Sequence, residues 1–253
     1  MIKWYLTGKI VAARIIHIKK ENKDMHSLYL KPLENIQEPK PGQFFMIWVP
    51  GLEEIPISVA DYDKGIFRFV VAKRGKTTTY ILNMDVGQLL GLKGPLGNFL
   101  RIESRRRYLL VGGGYGSAPL LFVARIIKQK NSFFKFLIGT KNKAQILFQD
   151  EAEKFMPDIL FSTEDGSFGF HGTVVDLAKE TLKEEKFDYI VACGPMSMLK
   201  NIVKLAESLR IKSYVLVEEI MKCGIGLCGS CVIGNTGLLA CKDGPVFEGN
   251  LIF

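Results

Sequence analysis

The sequence predicts an antiparallel β barrel, then an α/β domain with a doubly wound, five-stranded parallel sheet, then a C-terminal region of loops organised by cysteines. Three observations carry this. Residues 1–101 hold short runs of β character separated by turn signals. From about residue 105, continuous apolar strands alternate with segments of helical period. Four of the five cysteines fall within residues 223–241. The expected boundaries are 1–101, 102–217 and 218–253.

The β runs of the first region are KIVAARIIHI, HSLYL, QFFMIWV, PISVADY and GIFRFVVA, with PKPGQ at 39–43 and DKG at 63–65 as turns. Strands this short at this spacing suit a small closed barrel. The glycine-rich stretch GLKGPLGNF at 91–99 closes it.

In the second region the expected strands are RYLLVGGG, FFKFLIGT, DILFST, FDYIVAC and YVLVEE. The helical segments are SAPLLFVARIIKQ, AQILFQDEAEKF, TVVDLAKETL and PMSMLKNIVKLAESL. Such alternation builds parallel sheets, because each crossover must return the chain to the same sheet edge.

GGGYGSAPL at 112–120 follows a strand and opens a helix. In that setting Gly112, Gly113, Gly114 and Gly116 let backbone N–H groups and the helix N-terminus receive a dinucleotide's pyrophosphate. A plain structural turn is the alternative. Ser117 stands where G-x-G-x-x-G has its third glycine, and Gly139-Thr140-Lys141 offers no acid for a ribose hydroxyl. Cys193, Gly194 and Pro195 end the fourth strand on the same sheet edge, where ligands of parallel sheets bind. Ligand contact and simple burial are both open for Cys193.

Cys223, Cys228, Cys231 and Cys241 follow C-x4-C-x2-C-x9-C. The first three repeat the spacing with which plant-type ferredoxins wrap a [2Fe–2S] cluster, the fourth ligand arriving later. Soft thiolates suit iron–sulfur or zinc. Zinc sites pair their cysteines as two short C-x2-4-C units, and here the fourth stands alone. An odd cysteine count without a secretory signal argues against a disulfide framework. Gly224, Gly226 and Gly229 supply the positive φ that a cluster-wrapping loop needs.

The chain has 253 residues, 47% hydrophobic and 24% charged, ordinary globular values with length for two domains. A formal charge of +8 favours acidic partners or anionic ligands without indicating nucleic acid. Base-stacking modules interleave aromatic and basic residues on one surface, whereas most aromatics here sit inside strand runs such as FFKF and FRFV. The uncharged stretch Tyr108–Ala124 is broken by four glycines and Pro119, so it reads as strand, loop and helix and not as a membrane span. MIKWYLTGKI lacks the apolar core of a signal peptide, and a cytoplasmic protein is expected. His17, His26 and His171 show no ligand or triad spacing, and no catalytic acid–base residue is assigned.

The order of these pieces resembles the ferredoxin–NADP reductase superfamily, and within it the electron-transfer subunits of dihydroorotate dehydrogenase B. The likeness spans nearly the whole chain. It rests on IPIS at 55–58, GPLGNF at 94–99, GGGYGSAPL, TEDGSFGFHGTVVD at 163–176, ACGPMSML at 192–199, and EEIMKCGIGLCGSCV followed by CKDGPVF. The resemblance implies that the barrel binds FAD along Ile55, Pro56, Ile57 and Ser58, with Ser58 near the flavin ring. Val70, Val71 and Ala72 match ring-lining positions, and Thr77 and Thr78 match the turn that holds the pyrophosphate. Ile55 stands where the family commonly has an arginine forked to an FAD phosphate. Lys73, Arg74 and Lys76 are the neighbouring cations, a lysine acting as a point charge and not as a fork.

NAD exchanges hydride and a [2Fe–2S] centre exchanges single electrons, so a flavin must mediate between them. The resemblance implies a direction: an FMN-containing dihydroorotate dehydrogenase catalytic subunit oxidises dihydroorotate, and electrons pass through this chain's cluster and FAD to NAD. That partner's barrel needs about 250 residues of its own, and a heterotetramer of two of each chain is expected. Related subunits serving a hydrogenase, a sulfide reductase or a ferredoxin-linked transhydrogenase share these cofactors. A zinc-stabilised binding module is the rival of another class.

Overall fold

The computed structural model describes residues 9–154 and 158–253. Residues 1–8, part of the stretch read for a signal peptide, and residue 155 at the end of the segment AQILFQDEAEKF lie outside them. The chain forms two compact units: residues up to Leu100 with Glu218–Pro245, and Arg101–Val217 with Val246–Phe253.

In the first unit β1 (Val11–Asn22), β2 (Met25–Pro32), β3 (Phe44–Trp48), β4 (Ile55–Asp63), β5 (Ile66–Ala72) and β6 (Leu89–Leu96) close a barrel in the order β1-β2-β5-β4-β3-β6. Every described pairing in it is antiparallel. Closure removes the unpaired edges that an open sheet would present. Phe45 meets Phe67 and Phe69 edge-on inside, its centroid 5.3 Å and 5.7 Å from theirs. One ion pair is buried in the barrel: Arg68 Nη2 lies 2.9 Å from Glu21 Oε1, and Ser27 Oγ joins both.

A short helix, α1 (Lys76–Leu82), follows β5. Its opening run of threonines has weak helix propensity, so the sequence reads as a turn. Burial of Thr77, Thr78 and Ile81 against the barrel supplies what propensity does not.

In the second unit β7 (Arg107–Gly113), β8 (Phe133–Thr140), β9 (Ile159–Thr163), β11 (Tyr189–Cys193) and β12 (Lys212–Leu216) are the five parallel strands expected. Two short edge strands extend them. β10 (Phe170–His171) joins parallel to β9, and β13 (Val246–Glu248) antiparallel to β12, giving the order β10-β9-β8-β7-β11-β12-β13. The helices are α2 (Ala118–Gln129), α3 (Gln149–Lys154), α4 (Val174–Glu184) and α5 (Met196–Ser208). The order in which strands are added switches sides between β7 and β11, and right-handed crossovers then place α2 and α3 on one face and α4 and α5 on the other. The helical reading of AQILFQDEAEKF is shortened: Ile146 is extended and Phe148 has φ +64°, so α3 begins only at Gln149.

The C-terminal segment is divided. Residues 218–245 belong to the barrel unit, while 246–253 add an edge strand and a 3-10 turn to the α/β unit.

Candidate functional site

The four cysteines of the tail pair two by two. Cys231 and Cys241 end a small hairpin whose rungs are the Val232–Leu239 bridge and the bond from Ala240 N to Cys231 O, 3.0 Å. Its turn carries Gly234 and Gly237 at positive φ. The hairpin is why nine residues separate these cysteines, and it brings their Sγ atoms to 3.3 Å, well beyond the about 2.05 Å of a disulfide. Cys223 and Cys228 lie close enough for each to shift the other's acidity. Among the described residues no three His, Cys, Asp or Glu side chains converge on one ion position.

Backbone donors face the sulfurs. Gly226 N donates to Cys241 Sγ at 3.1 Å, and Leu227 N to Cys223 Sγ at 3.3 Å. Gly224, Gly226 and Gly229 have φ of +72°, +81° and +73°, a region that glycine enters without strain. Burial raises the Cys223 thiol, but the N–H groups of Ile225, Cys228 and Leu227 outweigh it and the net shift is downward. Cys228 is pulled down to about 6, first by the Ser230 hydroxyl and then by backbone N–H groups. Cys241 is pushed up to about 12 by burial, then by its hydrogen bond with Cys231. One pair is therefore open to solvent at Cys228, and the other is shut away from it. The donor set fits a [2Fe–2S] centre.

The cysteine loop sits on the outer face of the barrel. A Cβ on Gly224 would lie 2.8 Å from Met46 Cγ and 3.0 Å from Leu96 Cδ1. Asn98 donates its backbone N–H to Gly244 O at 2.6 Å and its side-chain amide to Asp243 O at 2.8 Å. Met46, Leu96 and Asn98 were not singled out from the sequence. The available signal was QFFMIWV itself: an unbroken apolar strand is buried on both faces. Phe44, Phe45, Met46 and Ile47 are all at most 2% exposed.

Ile55, Pro56, Ile57 and Ser58 begin β4, beside β3, with Phe44 opposite Ser58 and Met46 opposite Pro56. Val70, Val71 and Ala72 end β5. Thr77 and Thr78 open α1, and Thr77 Oγ1 reaches Glu53 O at 3.4 Å, tying that turn to the start of β4. The Thr78 hydroxyl is occupied within the turn: it accepts from Arg74 N and Gly75 N, both at 2.9 Å, and donates to Gly75 O. Lys73, Arg74 and Lys76 stand exposed around it. These residues form a half-buried strand beside a basic turn, which suits a flat ring with a diphosphate tail.

In the α/β unit, Gly112 lies opposite Cys193 at the ends of β7 and β11, where the strand order switches sides. The two loops interlock. A Cβ on Gly113 would lie 3.0 Å from Pro195 Cδ, and one on Gly194 would lie 3.1 Å from Gly113 Cα. Buried Ser117 packs on Gly112, and its hydroxyl has no partner among the described residues. Gly114 is open, with φ +56° and nothing within 4 Å of a built Cβ. Cys193 is 1% exposed. The carboxylates absent from the end of β8 arrive from β9: Glu164 N bonds Thr140 O at 3.1 Å and Asp165 N bonds Lys141 O at 3.2 Å. Asp165 is held below its ordinary value, first by the Ser167 hydroxyl. A floor free of side chains with acids two strands away matches the needs of a dinucleotide.

Residues 218–253 match the family model described as the iron–sulfur cluster binding domain of dihydroorotate dehydrogenase B. A probable dihydroorotate dehydrogenase B (NAD(+)) electron transfer subunit from Methanocaldococcus jannaschii is 39% identical over 211 residues, 83% of this chain and 80% of that protein. The chain belongs to the family of dihydroorotate dehydrogenase B electron transfer subunits. A Thermotoga maritima homolog of such a subunit is 35% identical and aligns over 96% of this chain and 88% of its own. Among solved structures, that of an NADH-dependent reduced ferredoxin–NADP oxidoreductase superposes on 97% of this chain and 91% of that chain, with TM-score 0.86 and 32% identity. The FAD/NAD binding domain of a Vibrio cholerae nitric oxide dioxygenase shares the fold at TM-score 0.70 and 22% identity, over 79% of this chain and 94% of that one.

Proposed function

We propose that the chain is the electron-transfer subunit of an NAD-dependent dihydroorotate dehydrogenase of pyrimidine biosynthesis. A partner subunit oxidises dihydroorotate at its own FMN, and this chain conveys the electrons to NAD. The observation that carries the reading is the set of four thiols, paired two by two, on a loop matched by the iron–sulfur family model.

When bound, the cluster supplies one-electron chemistry and FAD supplies the exchange between single electrons and hydride. Cys223, Cys228, Cys231 and Cys241 are the iron ligands. The N–H groups of Gly226 and Leu227 stabilise negative charge on the sulfurs, which tunes the potential. Ile55–Ser58 and Val70–Ala72 hold the flavin. Thr77 anchors the pyrophosphate turn, and Thr78 shapes it. Lys73, Arg74 and Lys76 supply the charge that an arginine at position 55 would have carried. Gly112, Gly113, Gly114 and Gly116 with Cys193, Gly194 and Pro195 receive NAD, and Glu164 and Asp165 lie within reach of a ribose hydroxyl.

The partner docks beside Cys228, where Leu227 and Ile220 are 76% and 74% exposed. The assembly is a heterotetramer of two of each chain, in the cytoplasm. Among the described residues no helix is long and apolar enough to cross a bilayer.

A second reading has one observation in its favour, the high similarity to the ferredoxin–NADP oxidoreductase structure. Affinity capture of the tagged chain from its native cells decides between them. The first reading expects an FMN protein, and a complex that reduces NAD with dihydroorotate. A captured partner that couples ferredoxin to NADP instead would replace it with the second.

A further inference from the structure

Met46 has its backbone in the barrel and its side chain under the cysteine loop. β3 pairs it with Pro56 of β4 and Lys93 of β6. Residues directly opposite in an antiparallel pair share a face. Met46 and Phe44 therefore stand on one face with Pro56 and Ser58, while Phe45 turns inward to Phe67 and Phe69. An outward side chain on a barrel is normally wet, yet Met46 is 0% exposed. The cysteine loop covers it: the built Cβ of Gly224 falls 2.8 Å from Met46 Cγ and 3.0 Å from Sδ. Gly224 directly follows Cys223. One side chain thus lies beneath the first cysteine's loop and beside the strand IPIS, a single strand spacing of about 4.8 Å away.

We propose that Met46 is a positioning residue for electron exchange: it seats Cys223 next to the strand bearing Pro56 and Ser58, and so sets how fast electrons cross between the iron–sulfur site and the flavin site. This rests on the function proposed above. Methionine suits the position because it is unbranched and polarizable and fills irregular gaps. A smaller residue leaves a void under Gly224, whose built Cβ position lies 2.8 Å from Met46 Cγ. The electron count closes without a further reductant. Two single-electron transfers and one proton from solvent equal the hydride that NAD accepts, and NADH returns the same two electrons when the reaction runs backward.

The test uses the full chain, reconstituted anaerobically with iron, sulfide and FAD. It is mixed rapidly with NADH, and flavin and cluster absorbance are followed separately. Met46→Ala should slow cluster reduction about 10–100-fold, the range for losing support around a metal site, with flavin reduction unchanged. Met46→Leu conserves volume and should restore most of the cluster rate. If Met46→Ala loses its cluster on isolation, Met46→Val takes its place and should fall between Leu and the full void. Cluster reduction at the wild-type rate in every variant that holds a cluster overturns the role of Met46 alone. A wild-type chain that takes up neither chromophore contradicts the proposed function instead.

Discussion

Gly116 packs on the backbone of Cys193 with no space between them. A Cβ at 116 would lie 2.8 Å from both the carbonyl carbon and the carbonyl oxygen of Cys193. Gly116→Ala must therefore push the glycine loop off the end of β11. The expected cost is about 1–3 kcal/mol by overpacking, together with weaker NAD binding. Urea unfolding and NADH titration of the same preparation check it. Wild-type affinity in a variant of unchanged stability would show that the loops do not interlock.

Arg68 and Glu21 form the barrel's buried ion pair, with side chains 7% and 2% exposed. Deleting Arg68 leaves the buried Glu21 carboxylate with only the more exposed Lys19, at 3.4 Å, as a cation. Arg68→Ala should cost about 3–5 kcal/mol, and replacing both by apolar residues should recover most of that. A double-mutant cycle by thermal unfolding measures the coupling, and additive losses would refute it.

Thr173 and Asp176 form a capping box at α4: Asp176 N donates to Thr173 Oγ1, and Asp176 Oδ2 accepts from the Thr173 hydroxyl and N–H. Asp176 is held below its ordinary value, first by the Thr173 hydroxyl and then by Lys179. A depressed carboxylate stabilises the fold fully above its unfolded value of about 3.9, and that contribution fades as pH falls through the lower folded value. Thr173→Ala should cost about 1 kcal/mol at neutral pH, and less in strong acid. Chemical unfolding at several pH values reads the trend; a penalty that grows on acidification contradicts it.

Metal removal should loosen one segment. Cluster ligands are structural cross-links, so binding free energy reappears as order in the loop. Iron chelation should raise amide exchange across residues 223–241 while β1 and β2 stay protected. Exchange that is identical with and without iron would detach the cysteines from any cluster.

Much of this was legible in the sequence because the signals were local. The cysteine spacing picked out four thiols of one loop region, the change from short β runs to alternating strands and helices marked a boundary near the Leu100–Arg101 division of the two units, and Pro119 and the glycines of 112–116 marked a strand-to-helix loop. What stayed hidden depended on tertiary contact. α1 opens with threonines that disfavour a helix, and burial overrides them. β13 is three residues long and gains meaning only beside β12. The apolar run QFFMIWV announced two buried faces, but not that the outer one meets Gly224. Glu164 and Asp165 come near the end of β8 only because β9 lies parallel to it.

The most direct test of the central claim is electron paramagnetic resonance of the reconstituted full chain after anaerobic addition of NADH alone. A paramagnetic signal from the reduced cluster is expected, and it is abolished in Cys231→Ser. A chain that yields this signal with dithionite but stays silent with NADH would contradict the joined path from nicotinamide to the four thiols.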